Sequence, residues 1–227
     1  IAQAKARLDD CSRLRMPPFR LRPAVILGLE QALLGIAPNR IGDADVTALG
    51  GAILSGALPN LTRLDLGGND IGVGGPGLSS LFEAFAKGAV ANLKELYLYN
   101  NLIGDTGLQA LAEACSAHGA MAQLTKLWLG GNNIGDAGVR ALAGAACASG
   151  SLAKITILSL GGNQIGDAGL AAVAEACRAK GALANLTALG LGDNKIGDDG
   201  MTALASACLA NLTMLDLNSN QIGDAGL

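Results

Sequence analysis

Leu124-Thr125-Lys126-Leu127-Trp128-Leu129-Gly130-Gly131-Asn132-Asn133-Ile134-Gly135-Asp136 is one copy of a frame that the chain repeats. Its fixed points are Leu124, Leu127, Leu129, Asn132 and Ile134. The same points fall at Leu61, Leu64, Leu66, Asn69 and Ile71, at Leu93, Leu96, Leu98, Asn101 and Ile103, and at Ile155, Leu158, Leu160, Asn163 and Ile165. Leu186 to Ile196 and Leu212 to Ile222 continue the series, and a degraded copy with Leu34, Ile36, Asn39 and Ile41 precedes it. The asparagines Asn69, Asn101, Asn132, Asn163, Asn194 and Asn220 are 32, 31, 31, 31 and 26 residues apart. Self-similarity at that period marks a stack of like units, and seven are visible.

Each unit carries two periodicities. The alternation Leu127-x-Leu129 puts both leucines on the buried face of a short strand. Beyond the Asn, apolar residues recur at helical spacing, as in Leu108, Leu111 and Cys115 or Leu170, Val173 and Cys177. One strand and one helix cannot bury their own apolar faces, so neighbouring units stack, with a parallel sheet inside and helices outside. Strands lie ~4.8 Å apart whereas packed helices need ~8–10 Å, so the stack bends with the sheet on its concave side. The expected fold is a right-handed α/β solenoid.

The frame L-x-x-L-x-L-x-x-N, extended by I-G-D-x-G-[LVM]-x-x-[LV]-A-x-A-C, resembles the leucine-rich repeat. It is most similar to the long, helix-bearing repeats of the ribonuclease-inhibitor-like subfamily, which also includes NOD-like receptor sensor regions and the Ran GTPase-activating proteins. The resemblance covers residues 31–227 and leaves 1–30 as an N-terminal basic flank or cap. It implies a horseshoe whose function is protein–protein interaction.

Composition agrees with a stacked core. Of 227 residues 50% are hydrophobic and 15% charged, which excludes a disordered chain. The 33 glycines show no every-third-residue period, which excludes a collagen-like one. The longest uncharged run, Val46 to Thr62, is 17 residues with Gly50-Gly51 and Pro59 inside it, short of the ~20 that span a bilayer. Residues 1–23 carry six basic groups against two acids, and residues 24–227 carry ten against seventeen. The body therefore lacks the clustered cations of a nucleic-acid binder. The basic N-terminal segment offers a possible further contact to an acidic partner. It has no apolar signal core, and the chain begins with Ile1, so sequence is expected upstream.

The recurrent polar residues favour structural roles. The Asn amide follows the strand, where it can satisfy backbone groups of adjacent turns. Asp43, Asp105, Asp136, Asp167, Asp198 and Asp224 follow a Gly just before each helix, so each is expected to cap its own helix. Their spacing is wrong for a calcium ladder of nine-residue repeats. Gly72-Val73-Gly74-Gly75-Pro76-Gly77 matches G-x-G-x-x-G but lies inside a repeat, without the acidic partner of a dinucleotide site, and reads as a loop insertion. Cys115, Cys147, Cys177 and Cys208 recur on successive helices, where Phe85 and Ile53 stand in earlier units. They read as free core thiols, which with Cys11 makes five cysteines and points to the cytoplasm or another reducing compartment. The N-x-T sequons at Asn60, Asn185 and Asn211 fall in a repeated A-N-L-T or P-N-L-T step and read as repeat grammar. His118 is the only histidine, which leaves a metal site or an acid–base pair little to work with; no cofactor is expected.

Residues between and after the strand leucines face the concave surface. The one Trp and both Tyr of the chain fall there on adjacent strands, as Tyr97, Tyr99 and Trp128. Arg63, Asp65, Glu95 and Lys126 surround them. These seven are the candidate partner-binding residues, the rings as anchors and the charges as guides to orientation. Later strands present glycines. No catalytic set accompanies them. The expected function is a non-enzymatic scaffold that binds a protein partner on its concave face, either stand-alone or as a piece of a larger assembly. Alternatives are a Ran-type GTPase activator, though no acidic tail is present, and a NOD-like receptor sensor, whose nucleotide-binding module would lie upstream. A nuclease inhibitor is disfavoured because the inner face mixes charge signs. The chain stops at Gly226-Leu227 where a helix should start, so further sequence is expected to follow.

Overall fold

The middle leucine of each frame becomes the centre of a three-residue strand. A computed structural model describes residues 33–35, 41–72, 75–117, 120–179, 182–207 and 209–226. The strands are β1 (Leu33–Gly35), β2 (Arg63–Asp65), β3 (Glu95–Tyr97), β4 (Lys126–Trp128), β5 (Ile157–Ser159), β6 (Ala188–Gly190) and β7 (Met214–Asp216). They form one parallel sheet in chain order, with Leu64, Leu96, Leu127, Leu158, Leu189 and Leu215 in register. Between them run α1 (Asp43–Leu54), α2 (Pro76–Ala86), α3 (Gly104–Ser116), α4 (Asp136–Ser149), α5 (Asp167–Arg178) and α6 (Asp198–Ala205), and a 3-10 turn (Asp224–Gly226) ends the series. The sheet lines the concave face of an α/β horseshoe and the helices its convex face. Among the described residues no helix is long and apolar enough to cross a membrane.

Strand and helix bury a shared aliphatic interior. The in-register leucines from Leu64 to Leu189 are 0–3% exposed, as are Leu66, Leu98, Leu129, Leu160 and Leu191 beside them. Leu215, the corresponding residue of β7, is 39% exposed.

Hydrogen-bond ladders between units explain the repeated polar letters. Asn101 Nδ2 donates to Leu66 O of the preceding unit and to Leu98 O of its own, while Asn101 Oδ1 accepts from Ile71 N. Asn132, Asn163, Asn194 and Asn220 repeat the pattern. One amide thus satisfies buried backbone groups in two units, as expected for its place after the strand. The residue before it is left-handed in each of these turns: Gly68, Asn100, Gly131, Gly162, Asp193 and Ser219 have φ of 50–68°. Gly, Asn and Asp tolerate that conformation best.

The A-N-L-T step is a second ladder. Thr156 and Thr187 Oγ1 donate to the threonine carbonyl one unit back, Thr125 and Thr156. Asn185 Nδ2 reaches Ala153 O at 2.7 Å and Asn211 Nδ2 reaches Ala184 O at 3.0 Å. Two sequon asparagines therefore hold neighbouring units together, in line with the repeat-grammar reading.

Two expectations are corrected. The recurrent Asp does not cap its own helix. It is the first helical residue, or the second in the case of Asp105, and its carboxylate reaches the next unit: Asp105 Oδ1 accepts from Gly135 N at 2.7 Å and Gly138 N at 2.9 Å, and Asp136 Oδ1 from Gly166 N and Gly169 N. Asp167 and Asp198 do the same to Gly197 and Gly223. The helix starts pack side by side, so the nearest unfilled N–H groups belong to the neighbour. A Cβ at Gly138 would lie 2.7 Å from Asp105 Oδ1, which is why Gly recurs two residues after the Asp of the GD pair. In α1 the acid that closes on its own helix is Asp45, accepting from Gly42 N.

The second correction is Cys147. Cys115 and Cys177 are buried free thiols, but Cys147 is exposed. Its one-residue shift turns it about 100° around the helix, and Ala146 takes the inward place at 1% exposure. Burial pushes the Cys115 thiol up to about 12 and Cys177 to about 11. Cys11, Cys208, His118, Asn39, Val73, Gly74 and the flank at 1–30 lie outside the described residues.

Candidate functional site

Three rows of side chains run across the concave face, one residue per strand. The register aligns Arg63 with Glu95, Lys126, Ile157, Ala188 and Met214, and aligns Asp65 with Tyr97, Trp128, Ser159, Gly190 and Asp216. Just past the strands come Gly67, Tyr99, Gly130, Gly161, Gly192 and Asn218. The strand middles point inward, so both residues flanking each leucine are held outward with no freedom of register.

All seven candidate residues lie in one half-buried cluster on β2, β3 and β4 and the residues after them. The Arg63 guanidinium carbon sits 4.4 Å from the centre of the Tyr97 ring. Tyr97 stacks on Trp128 with centroids 5.8 Å apart and planes 25° from parallel. A cation and two rings thus form one column across three strands. Tyr99 leans the other way and covers Gly67, where a Cβ would run into its ring.

The charges pair within the cluster. Arg63 Nη2 lies 3.3 Å from Asp65 Oδ2, and its Nη1 lies 3.6 Å from Glu95 Oε2. Lys126 Nζ is 2.8 Å from Glu95 Oε1, and Tyr97 Oη donates to Glu95 Oε2 at 3.0 Å. The Lys126 ammonium holds the Glu95 carboxyl below the ordinary carboxylate range against the cost of burial, with help from Tyr97 and Arg63. Burial and donation to Glu95 push the Tyr97 phenol up. Glu95 in turn raises Lys126.

Two cations and two anions cancel, so the charges expected to orient a partner already have partners of their own. Two donors are exceptions: Arg63 Nε and Trp128 Nε1 are shielded from solvent and have no acceptor. This pairing was readable in the sequence, because Arg63, Glu95 and Lys126 occupy the same position of successive units with alternating sign. Asp216, at the far end of the Tyr97–Trp128 row, was not among the seven. The row contains only Ser159 and Gly190 between it and Trp128. The floor there offers backbone, one hydroxyl and an aromatic wall.

A family model described as Leucine Rich repeat matches residues 57–82, 91–112, 122–143, 151–174, 182–205 and 208–227, together more than half of the chain. Among solved structures the chain is similar to an internalin of Listeria monocytogenes, at 26% identity and a TM-score of 0.49, over 82% of this chain and 48% of that one. It is also similar to internalin C2 of Listeria monocytogenes, at 25% identity and a TM-score of 0.49, over 90% of this chain and 77% of that one. The chain spans about half the length of the first of these. No curated protein matches it. With the repeat frame, the stacked strand–helix units and the matched segments in agreement, the chain belongs to the leucine-rich repeat family.

Proposed function

We propose that the chain is a non-enzymatic scaffold that binds a protein partner on its concave face, as a subunit or segment of a larger assembly. The observation that carries this reading is the half-buried column of Arg63, Tyr97 and Trp128, beside which the later strands present Ser159, Gly161, Gly190 and Gly192. Large rings held rigid by neighbours contribute contact area at little entropic cost, as interface anchors do. Arg63, Asp65, Glu95 and Lys126 then act as a neutral frame that fixes the rings, and Tyr99 extends the aromatic surface toward β2. Residues 1–30 serve as flank or cap to the repeat domain at 31–227.

The helix in each unit and the ~31-residue period support a ribonuclease-inhibitor-like subfamily. Free thiols at Cys115, Cys147 and Cys177, one of them exposed, fit a reducing intracellular compartment.

The test is an affinity pull-down under reducing conditions with mass spectrometry, comparing wild type with Tyr97→Ala/Tyr99→Ala/Trp128→Ala. A specific partner should weaken more than tenfold, since anchor truncations cost ~2 kcal/mol or more. A partner retained at unchanged affinity by the folded triple variant refutes the assignment.

A further inference from the structure

The residue after each buried Asn is polar in every described unit but one. Asp70, Asn133, Gln164, Lys195 and Gln221 take this place, and Leu102 takes it in the unit of β3. Leu102 is 55% exposed. Three other large apolar side chains are exposed among the described residues: Leu54 at the end of α1, and Met214 and Leu215 on β7. Leu102 alone lies in the middle of the stack, in the unit that also supplies Tyr97 and Tyr99. Only Asn100 and Asn101 separate it from Tyr99, so the two Cα atoms are at most about 11 Å apart. One partner segment can cover both.

The backbone holds the Leu102 side chain in place. Leu102 N donates to Ile71 O at 2.9 Å, and Leu102 pairs with Gly72 as a parallel bridge. Asn101, next to it, donates to Leu66 O, Leu98 O and Tyr99 O, so Tyr99 and Leu102 are tied to one ladder. A side chain on a fixed backbone loses little freedom when a partner covers it. The bond to Ile71 also sets Leu102 beside the residue that follows Asp70. Asp70 is exposed, and among the described residues it has neither a hydrogen bond nor an ion pair. The inner-face acids differ, since Asp65 and Glu95 already meet Arg63 and Lys126. Asp105, three residues after Leu102, adds a second negative charge to this edge. No lysine or arginine occurs from Leu66 to Ala86, from Leu98 to Thr125 or from Leu129 to Val139. The edge around Leu102 is therefore apolar and negative.

Such an edge fits a segment that lays an aliphatic or aromatic side chain on Leu102 and brings a lysine or arginine to Asp70. An acidic segment would be repelled by Asp70 and Asp105, and a wholly polar one would leave Leu102 in water. We propose that the partner surface runs from Tyr97 and Tyr99 over the post-strand edge of this unit to Leu102 and Asp70, and that it takes a segment of the protein partner in which an apolar residue adjoins a basic one. This rests on the concave face being the partner surface, and it adds where the partner crosses the edge and which chemistry is selected there.

The probe is a library of random twelve-residue peptides displayed on phage and selected against the whole chain under reducing conditions. The strongest peptide is synthesised with a fluorescent label, and polarisation reads its affinity for wild type, Leu102→Asn and Asp70→Asn. Both positions are exposed and both variants carry the residue that Asn133 supplies one unit on, so the core is untouched, as circular dichroism checks. Enriched peptides should pair an apolar residue with Lys or Arg. Binding should fall roughly tenfold or more in Leu102→Asn, and about threefold in Asp70→Asn, the latter loss shrinking with added salt. Gln164→Asn, two units from Leu102, should bind as wild type. No enrichment, enriched peptides without a basic residue, or full binding by either edge variant overturns the inference. The concave-face reading is tested apart: loss of the natural partner from the triple aromatic variant upholds it even where the edge inference fails, and it falls only if that folded variant keeps its partner.

Discussion

The N-terminal and C-terminal halves of the solenoid are joined by different means. From Asp105 onward, each unit hands a carboxylate to the helix start of the next, in the unbroken series Asp105, Asp136, Asp167 and Asp198. The first half lacks this. Gly75, just before α2, stands where the other units carry the acid, and Gly104 N of the next helix start finds Asn132 O instead. Asp43 lies against Gly75 and Gly77, and its Oδ1 has no hydrogen-bond partner. On the concave side the halves exchange roles. The first is cross-linked by Arg63, Glu95, Lys126 and the stacked rings, whereas the second is floored with Ser159, Gly161, Gly190 and Gly192. Like units can thus be held together at the loop edge or on the inner face. Where the inner face carries the joints, it also presents the large side chains suited to a partner.

The largest expected effect comes from breaking the carboxylate series. Asp136→Ala removes two charge-assisted bonds to Gly166 and Gly169 and should lower stability by about 2–3 kcal/mol. Chemical denaturation followed by circular dichroism measures it. A loss below 0.5 kcal/mol, on the order of an ordinary surface change, would show that the series is ornamental. Next comes the inner-face joint: Tyr97→Ala should cost about 1–1.5 kcal/mol through lost stacking and cross-strand contact. Ser159→Ala, in the same row of the second half, should stay within about 0.5 kcal/mol. Equal effects at the two positions would erase the contrast between halves.

Putting a carboxylate next to the place of the missing acid sharpens the comparison from the other side. Pro76→Asp places a carboxylate at the start of α2 and should raise the denaturation midpoint, by about 0.5–1 kcal/mol of stability. A fall in the midpoint would show that the two-residue insertion, rather than the missing acid, sets this junction.

The smallest effect is a pH dependence. Folding lowers the Glu95 carboxyl, chiefly through Lys126, so ionised Glu95 stabilises the fold above the ordinary carboxylate range. That contribution is lost as pH falls through the lowered folded value. Glu95→Gln should flatten the acid limb of stability by less than about 1 kcal/mol, as partly exposed pairs do. An identical acid limb in the variant would remove Glu95 from the stabilising cluster.

Much of the fold was legible because the repeat makes each position report on its neighbours. The step of about 31 residues places Leu64, Leu96 and Leu127 in one register, and a leucine alternating with exposed residues can be only a strand facing a core. The concave positions followed from the same alternation, including the two-strand cluster of rings. The aspartates were misread because a capping residue's partner was sought within its own helix. A single unit contains both the carboxylate and a free helix start, and nothing in one copy says that the bond goes to the next. Cys147 was misread because one residue of slip in a helix changes the face presented.

Sequence alone determined the unit, the number of copies, their parallel order and which side chains look inward or outward, since these follow from local periodicity and from the need of each unit to bury its apolar face on another. Tertiary structure alone decided which polar groups meet between units: the carboxylate given to the neighbour, the charges consumed within the cluster, the Trp128 Nε1 left without an acceptor. Those outcomes depend on the offset and curvature with which units stack, and distances of a few ångströms between residues some thirty positions apart are fixed only when the stack is formed.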